Sequence, residues 1–397
     1  MFTHVAQGFS PARVLLLLLV ILLAGVVPAT AQDEPFVVHD TKSVIVHGPY
    51  LVEPAETAVT IVWTTDTPAH AKVEFGETDA LGRAAEPAVH GLVPVGTVHR
   101  VRLTGLEPGR TYHYRVVATR VVKLKAYWPE KGLPVESPIF TFRTLDRSAT
   151  AVSFSLITDT HEDVARIKAL AARVDWPATD VFVHLGDAFH WLAGEDQLFE
   201  RWLGPMIAAL DHRTPLVFAR GNHEMRGPFA RAFFDYVPVS TGEYYHAFDH
   251  GPIHFVVLDA GEDKDDDTNV YARLNQVEPY RERELAWWRD HVAAEPRARG
   301  APFQVVLVHQ PDFGYVGGES LRWVTFANQA RVDLVIAGHR HRFRRVAPGE
   351  QGNDYTILVL GQDQLARVDA TADELRVTVV DKDGNAVDAF TLPARPR

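Results

Sequence analysis

The stretch at residues 181–190, VFVHLGDAFH, decides how the second half of this 397-residue chain is interpreted. It is a short apolar run that ends at Gly186 and is followed by a carboxylate, Asp187. A buried strand that ends in this way places the carboxylate at the carboxyl edge of a sheet, where open α/β folds assemble their sites. One Gly-Asp pair is weak evidence, because most such pairs are turns. Four other strand ends finish in Asp, Asn or His, and we expect Asp187 to join them.

The composition excludes several classes of function. A formal net charge of -11 argues against a nucleic-acid-binding surface, which is normally basic. Cysteine is absent, so disulfides, zinc fingers and cysteine nucleophiles are excluded. Any metal ion must therefore be held by His, Asp, Glu or Asn. The chain has 19 histidines, and such a ligand set suits Zn, Fe or Mn.

The N-terminus, residues 1–31, has the pattern of a secretory signal peptide. Arg13 precedes an apolar run over residues 14–27, which is followed by Pro28 and an Ala-Thr-Ala triplet that ends at Ala31. The alternative is a membrane anchor, but the run is shorter than the roughly 20 residues that a spanning helix needs. We therefore expect cleavage after Ala31 and a secreted protein, periplasmic or extracellular, that keeps no membrane anchor.

Residues 43–145 have the pattern of an antiparallel β-sandwich. Short alternating segments, such as AVTIVWTT at 58–65 and YHYRVVA at 112–118, are separated by Pro, Gly and acidic turns. Trp63 lies in the middle of one such segment, and we interpret it as a core residue. The run from Leu106 to Tyr112 resembles the tyrosine-corner turn of fibronectin type III modules. We therefore predict a domain of that type over residues 43–145.

From residue 150 to residue 393, apolar strand-like runs alternate with stretches of helical spacing. The helical stretches are at 163–174, 196–210 and 280–294, and Pro205 is expected to bend or break the second. This alternation favours the α/β class, with a layered αββα-sandwich rather than a barrel, although periodicity does not order the strands. The tail at 375–392 is predicted to be a hairpin that covers a sheet edge.

Side chains that can bind metal follow five of the predicted strands. Residues two apart on an extended segment point the same way, so Asp159 and His161 could share one ion. His339 and His341 have the same spacing, but a local bend could separate them. Seven candidates are too many for one open site and suit two ions that share Asp187. The candidate ligands are Asp159, His161, Asp187, Asn222, His309, His339 and His341.

The series D-x-H, G-D, G-N-H-E, H-x-P and G-H-x-H runs from residue 152 to the C-terminus and is similar to that of the calcineurin-like metallophosphoesterases. The resemblance implies two metal ions bridged by Asp187. It assigns three further ligands to each ion: Asp159, His161 and His341 to the first, and Asn222, His309 and His339 to the second.

The resemblance also implies a catalytic residue, His223. This side chain would not bind metal but would face the substrate phosphate, as an acid to the leaving oxygen or as a charge stabiliser. Glu224 is expected to orient its neighbours. Arg220, Arg226 and Arg342 lie next to the motifs, but arginines in loops are usually solvated, so none is assigned to the site.

The sandwich in front narrows the resemblance to the purple acid phosphatases, whose N-terminal domain resembles fibronectin type III. Those enzymes are expected to carry G-D-x-x-Y, with the tyrosine bound to ferric iron, whereas this chain has His190 at that position. His161 stands where the purple type lacks a histidine ligand. We predict that a histidine replaces the tyrosinate and that the protein is not purple. His190 could be a second-layer donor, an extra ligand or a surface residue.

The loop after His309 is a further departure. It carries Asp312 and Tyr315 where the plant-type purple enzymes would be expected to place a histidine pair for phosphate. Substrate recognition therefore does not transfer from those enzymes to this chain.

Two adjacent cations lower the pKa of water and clamp phosphoryl oxygens, so the expected mechanism is in-line attack by a metal hydroxide. His223 would assist departure of the alcohol. The expected function is an exported, acid phosphatase-like phosphomonoesterase for small-molecule phosphate esters. One alternative is a phosphodiesterase or nucleotide hydrolase with the same centre, and another is a binding or adhesion protein with a vestigial site. The metal pair, among Fe, Zn and Mn, and the oligomeric state stay open.

Overall fold

The computed structural model describes residues 36–314 and 320–394. The predicted signal peptide at residues 1–31 and Tyr315 lie outside the described residues. Among the residues that are described, no helix combines the length and the apolar character needed to cross a membrane.

Residues 45–143 form strands that pair antiparallel with one another. The long second strand belongs to two layers, because its first half pairs with β1 and β4 and its second half with β3 and β5. The strands are β1 (Ile45–Val52), β2 (Ala58–Gly76), β3 (Arg83–Ala85), β4 (Gly96–Thr104), β5 (Thr111–Lys123), β6 (Glu130–Glu136) and β7 (Phe140–Arg143).

The core of this front part contains the aromatic residues that the sequence singled out. Trp63 is fully buried in β2, and Tyr112 is buried at the start of β5. The backbone N–H of Glu107 donates a hydrogen bond to the Tyr112 hydroxyl at 3.0 Å, which closes the turn before β5. The predicted antiparallel front part and its tyrosine-closed turn are confirmed.

Two mixed sheets follow in the chain. In the first, the strand order is β19-β18-β17-β8-β9-β10, and in the second it is β11-β12-β13-β14-β16-β15. The first contains β8 (Ala151–Ile157), β9 (Val181–His184), β10 (Leu216–Phe218), β17 (Gln364–Thr371), β18 (Glu374–Asp381) and β19 (Ala386–Pro393). The second contains β11 (His246–His250), β12 (Ile253–Val257), β13 (Phe303–Leu307), β14 (Leu334–Ala337), β15 (Arg344–Val346) and β16 (Thr356–Val359).

The two sheets face each other across one apolar core, and helices cover their outer faces. The first sheet is covered by α1 (Val164–Ala171), α2 (Glu195–Leu198) and α3 (Gly204–Leu210). The second is covered by α4 (Val277–Ala294), α5 (Arg297–Gly300) and α6 (Ser320–Gln329). The predicted αββα-sandwich is confirmed, as is the terminal hairpin of β18 and β19, which forms the edge of the first sheet.

Pro205 interrupts a helix as predicted. It is the second residue of α3, and a π-helical turn at Phe199–Leu203 separates α3 from α2. Proline lacks a backbone N–H, so a regular α-helix cannot continue through it without losing a hydrogen bond. Helix α6 was not predicted.

The first sheet continues into the front part of the chain. Strand β1 pairs in parallel with β10, with Val52 opposite Leu216. The hydroxyl of Tyr50 donates to the carbonyl of Tyr236 at 2.7 Å, and the hydroxyl of Tyr114 donates to the carbonyl of His212 at 2.7 Å. Because a sheet and a core span the junction, the predicted domain bounds of 43–145 and 150–393 stay a prediction.

Candidate metal centre

Five of the seven predicted ligands do not lie on extended backbone. Positive φ angles occur at Asp159 (52°), His161 (43°), Asp187 (51°), His339 (68°) and His341 (55°). Non-glycine residues rarely adopt this left-handed conformation, and it is often found at functional sites. The sequence argument that Asp159 and His161 point the same way through strand alternation is therefore wrong. Tight turns, not alternation, bring their side chains together.

A first cluster contains Asp159, His161, Asp187 and His341, whose ligand atoms all lie within 4.8 Å of one another. The Nε2 atoms of His161 and His341 are 3.1 Å apart, and His341 Nε2 is 3.1 Å from Asp159 Oδ1. The structure therefore brings together the three residues predicted for the first ion and the predicted bridge.

A second cluster contains Asp187, His309 and His339. His309 Nε2 lies 3.0 Å from Asp187 Oδ2, and the side-chain oxygen of Asn222 lies 3.1 Å from His339 Nδ1. Asp187 thus belongs to both clusters. His339 and His341 fall into different clusters, so the alternative of a local bend between them is the one observed.

These distances fit ligands gathered around common ions. Two nitrogen or oxygen ligands bound at about 2.1 Å are themselves separated by about 3.0–3.4 Å. Among the described residues, Asp159 Oδ1 and His309 Nε2 are buried atoms that make no hydrogen bond of good geometry, although His341 Nε2 and Asp187 Oδ2 lie 3.1 and 3.0 Å from them. Coordination to a cation satisfies such atoms, since an unpaired buried polar atom is costly. The donor set therefore fits two metal ions, and the assignment of each ligand stays a prediction.

Backbone carbonyl groups orient two of the histidines. His161 Nδ1 lies 3.0 Å from the carbonyl of Phe189, and His309 Nδ1 lies 2.6 Å from the carbonyl of Leu185. A carbonyl only accepts, so each Nδ1 carries the proton and donates. When the ring is neutral, each Nε2 then has a lone pair that faces the centre, which is the arrangement found for metal-binding histidines.

Glu224 fixes the turn that carries Asp187. Its buried carboxylate accepts hydrogen bonds from the backbone N–H groups of Asp187, Ala188 and Gly221, at 2.9, 2.8 and 2.8 Å. Burial, followed by the charge of Asp187, raises the pKa of Glu224 to about 7. Glu224 therefore orients its neighbours, in agreement with the expectation from the sequence.

The buried carboxylates Asp159 and Asp187 shift the pKa values of the groups around them. Burial alone would lower the pKa of His309, but Asp187 and Asp159 raise it to about 10. Burial likewise opposes ionisation of Asp187, yet His309 holds the pKa of Asp187 well below its usual range. In contrast, burial lowers the pKa of His161 and of His339 to about 4. The centre thus combines ionised carboxylates with neutral imidazoles at His161 and His339, whereas His309 carries a positive charge between the carboxylates, a charge that a bound metal ion would supply instead.

His223 lies outside both clusters that contain Asp187, but it forms a third group with His161 and His190 whose ligand atoms also lie within 4.8 Å of one another. Its Nδ1 donates to the carbonyl of His190 at 2.7 Å, and its Nε2 lies 3.1 Å from a guanidinium nitrogen of Arg226 and 3.8 Å from Asp187 Oδ2. The side chain is 22% exposed, so Nε2 can meet a ligand that enters from solvent. His190 is exposed and stacks on His161 with ring centroids 4.8 Å apart. The position of the expected tyrosine is therefore occupied by a histidine at the rim of the centre.

The arginines near the motifs differ from one another. Arg220 pairs with Asp259 at 2.6 Å, and Arg226 pairs with Glu262 at 2.6 Å, so both are engaged within the protein and not solvated as expected. Arg342 is exposed beside His341. It lines a cavity together with Arg340 and Arg344, which the sequence analysis did not single out. The spacing of these arginines, every second residue after the G-H motif, was the available signal.

The αββα-sandwich carries two clusters of candidate metal ligands that share Asp187. Residues 153–343 match the sequence profile of the calcineurin-like phosphoesterases, and residues 49–144 match that of the purple acid phosphatase N-terminal domain. The second part of the chain is therefore similar to the calcineurin-like phosphoesterases, and the front part is similar to the N-terminal domain of the purple acid phosphatases. The predicted pair of metal ions agrees with this family and with the geometry of the site.

Individual relatives are distant. The chain is 26% identical to acid phosphatase type 7 of Mus musculus over 302 aligned residues. The aligned region covers 71% of this chain and 60% of the relative. It is 25% identical over 273 residues to purple acid phosphatase 22 of Arabidopsis thaliana, with 63% and 55% covered. The structure of a purple acid phosphatase from yellow lupin (Lupinus luteus) superimposes with a TM-score of 0.61 at 16% identity, over 87% of this chain and 74% of that chain. The chain thus spans 60% and 55% of the length of these two curated relatives.

Proposed function

We propose that this protein hydrolyses phosphomonoesters of small molecules, as an acid phosphatase does, with two metal ions in the clusters that share Asp187. The observation that carries the proposal is this sharing: Asp187 lies in both clusters, and His223 lies 3.8 Å from it at the open side. The family match and the names of the relatives support phosphate-ester hydrolysis.

Two cations bound there would acidify water and offset the charge on the phosphoryl oxygens. The protein's own groups prepare the site. Glu224 holds the Asp187 turn, and backbone carbonyl groups hold His161 and His309 with Nε2 facing the centre. Because His223 donates from Nδ1 to the carbonyl of His190, its second proton resides on Nε2 when the ring is protonated. In the proposed reaction, that proton neutralises the leaving oxygen of the alcohol.

We also propose that the protein is exported. The support is the sequence of residues 1–31, with its apolar run and the Ala-Thr-Ala triplet. N-terminal sequencing of the mature protein tests this proposal. A chain that starts at Gln32 supports export through a cleaved signal peptide, and a chain that retains Met1 overturns it.

The first prediction tests the proposed function directly. We expect the purified protein to contain about two metal ions per chain and to hydrolyse 4-nitrophenyl phosphate faster than bis(4-nitrophenyl) phosphate. Asp187→Ala should lose metal and at least about 10³-fold in rate, because one carboxylate serves both clusters. Asp388→Asn, which changes a carboxylate paired with Arg345 away from the centre, is the control.

The measurements are elemental analysis and initial rates on the two esters. A faster rate on the diester would replace the proposal with a phosphodiesterase. No hydrolysis of either ester by the two-metal protein would favour a binding protein with a vestigial site. Retention of both ions and the full rate in Asp187→Ala would overturn the role of Asp187 as the bridge.

A further inference from the structure

Large apolar side chains are exposed side by side at one end of the front part. Three of them lie in the hairpin that joins β5 to β6, and three more lie in the segment that precedes β1. Their exposed fractions range from 40 to 81%. Single exposed apolar residues are common, but a contiguous group of them marks an interaction surface. We call this group the β5–β6 surface, and its members are Phe36, Val37, Val38, Leu124, Tyr127 and Trp128.

Backbone and ring contacts join the two segments of the β5–β6 surface. The backbone N–H of Lys131 in β6 donates to the carbonyl of Val37 at 3.2 Å, and the N–H of His39 donates to the carbonyl of Lys131 at 2.8 Å. The rings of Phe36 and Trp128 meet edge to face, with centroids 6.1 Å apart. The six apolar side chains therefore form one patch that draws on both segments.

Basic side chains surround this patch. Residues 36–42 and 120–131 contain five Lys and Arg residues against two Asp and Glu residues, in a chain whose formal net charge is -11. Glu130 lies 2.6 Å from Lys125, so one of the two acids is already paired. Lys42 and Lys123 are exposed and have no ion-pair partner within residues 36–314 and 320–394. The β5–β6 surface is therefore cationic as well as apolar, although the protein as a whole is acidic.

We propose that the β5–β6 surface binds reversibly to a membrane that contains anionic lipids. Tyrosine and tryptophan favour the region between lipid headgroups and acyl chains, and leucine and valine bury apolar area there. The neighbouring lysines are attracted to anionic headgroups while their aliphatic stems cover apolar surface. Binding of this kind differs from a spanning anchor, because the side chains enter only the outer layer of the bilayer. The proposal does not depend on the proposed hydrolytic activity.

The position of this surface in the chain supports a membrane as its partner. Residues 28–35 alone separate the apolar run at 14–27 from Phe36. A segment of this length spans at most about 30 Å. A precursor whose apolar run lies in a membrane therefore has the β5–β6 surface within reach of the same membrane. Binding through this surface would keep the protein there after cleavage, a step that rests on the proposed export.

The second prediction concerns binding to lipid vesicles, measured by co-sedimentation of the protein with the N-terminus found by sequencing. We expect binding to vesicles of phosphatidylcholine with 30% phosphatidylglycerol to be at least about tenfold tighter than to pure phosphatidylcholine, because only the former are anionic. Leu124→Ser with Tyr127→Ser should weaken binding to the anionic vesicles about tenfold, since two apolar side chains are lost. Lys123→Gln should weaken it about fivefold.

The double variant Val270→Ser with Leu274→Ser is the matched control. These side chains are 72 and 69% exposed, against 68% for Leu124 and 81% for Tyr127, but they lie in the phosphoesterase part. The control should bind anionic vesicles within twofold of the unaltered protein. Since all four replaced side chains are exposed, neither double variant removes a core contact.

Equal binding of the unaltered protein to both kinds of vesicle would overturn the proposal, as would binding that Leu124→Ser with Tyr127→Ser leaves unchanged. Absence of vesicle binding, with a dimer that this double variant dissociates in sedimentation velocity, would identify the β5–β6 surface as an interface between copies of this chain. Hydrolysis of 4-nitrophenyl phosphate without vesicles should be the same in this variant and in the unaltered protein. Loss of membrane binding is therefore separable from failure of the proposed phosphatase.

Discussion

Asp187 belongs to two ligand clusters because its backbone is held in a left-handed turn by Glu224. At the scale of single residues, the sequence predicted which side chains converge, since all seven candidate ligands lie in or beside the two clusters. It did not predict how they converge. Positive φ at Asp159 and His161 replaces the alternation that was assumed. Such turns depend on backbone hydrogen bonds to distant segments, and local sequence spacing does not encode those bonds.

The third prediction concerns His223. Because this residue lies outside both clusters that contain Asp187, His223→Ala should keep about two metal ions per chain. Its turnover should fall by about 10²–10⁴, the range usual for loss of a general acid. Elemental analysis and kcat on 4-nitrophenyl phosphate measure the two quantities.

The loss in His223→Ala should be smaller for 4-nitrophenyl phosphate than for an alkyl phosphate, since nitrophenolate needs less protonation to depart. His113→Ala, a change in β5 of the front part, serves as the control. If kcat is unchanged for both esters in His223→Ala, the catalytic assignment of His223 is wrong.

At the scale of elements, the ends of β8 and β14 approach so closely that a glycine is required between them. A Cβ added at Gly338 would lie 2.0 Å from Thr158 Oγ1 and 2.4 Å from Asp159 Oδ2. The strands themselves were predicted from apolar runs, and their order was not, because pairing joins segments far apart in the chain. Helix α6 was not predicted, because residues 321–329 were not assigned to any element.

The fourth prediction follows from this close approach. Gly338→Ala should push Asp159 out of the first cluster and so lower metal content and activity together. It should also cost about 1–3 kcal/mol of unfolding free energy, as overpacking of a buried site usually does. Gly300→Ala, where an added Cβ meets nothing within 4 Å, is the control.

Urea unfolding and elemental analysis are the measurements for Gly338→Ala. Full metal content in this variant would show that the strand ends have room to move apart.

At the scale of the whole molecule, the front part (residues 45–143) and the phosphoesterase part (residues 151–393) share a sheet and a core. Tyr50 and Val62 from the front part pack in one cluster with Trp202 and Phe218. The sequence predicted both parts, but it could not predict the pairing of β1 with β10, which rests on a single register pair separated by more than 160 residues. We therefore expect the two parts to unfold together.

The fifth prediction is that the protein unfolds in a single calorimetric transition. Tyr50→Phe should lower the midpoint temperature of this one transition. This change removes the hydroxyl that donates to the buried carbonyl of Tyr236, so it should cost about 1–2 kcal/mol. Tyr127→Phe, at a side chain that is 81% exposed, should have no effect. Two separate unfolding transitions would contradict a shared core, if Tyr50→Phe lowered the midpoint temperature of only one of them.

The parallel contact between β1 and β10 has a further consequence for how the two parts can be exchanged in evolution or in the laboratory. A strand at the rim of a sheet leaves a row of N–H and C=O groups free to recruit other chains, and β10 becomes such a strand when the front part is removed. The front part thus acts as a cover against aggregation. A domain that replaces the front part would have to supply a strand that pairs in parallel with β10. The phosphoesterase part therefore cannot be joined to an arbitrary N-terminal domain.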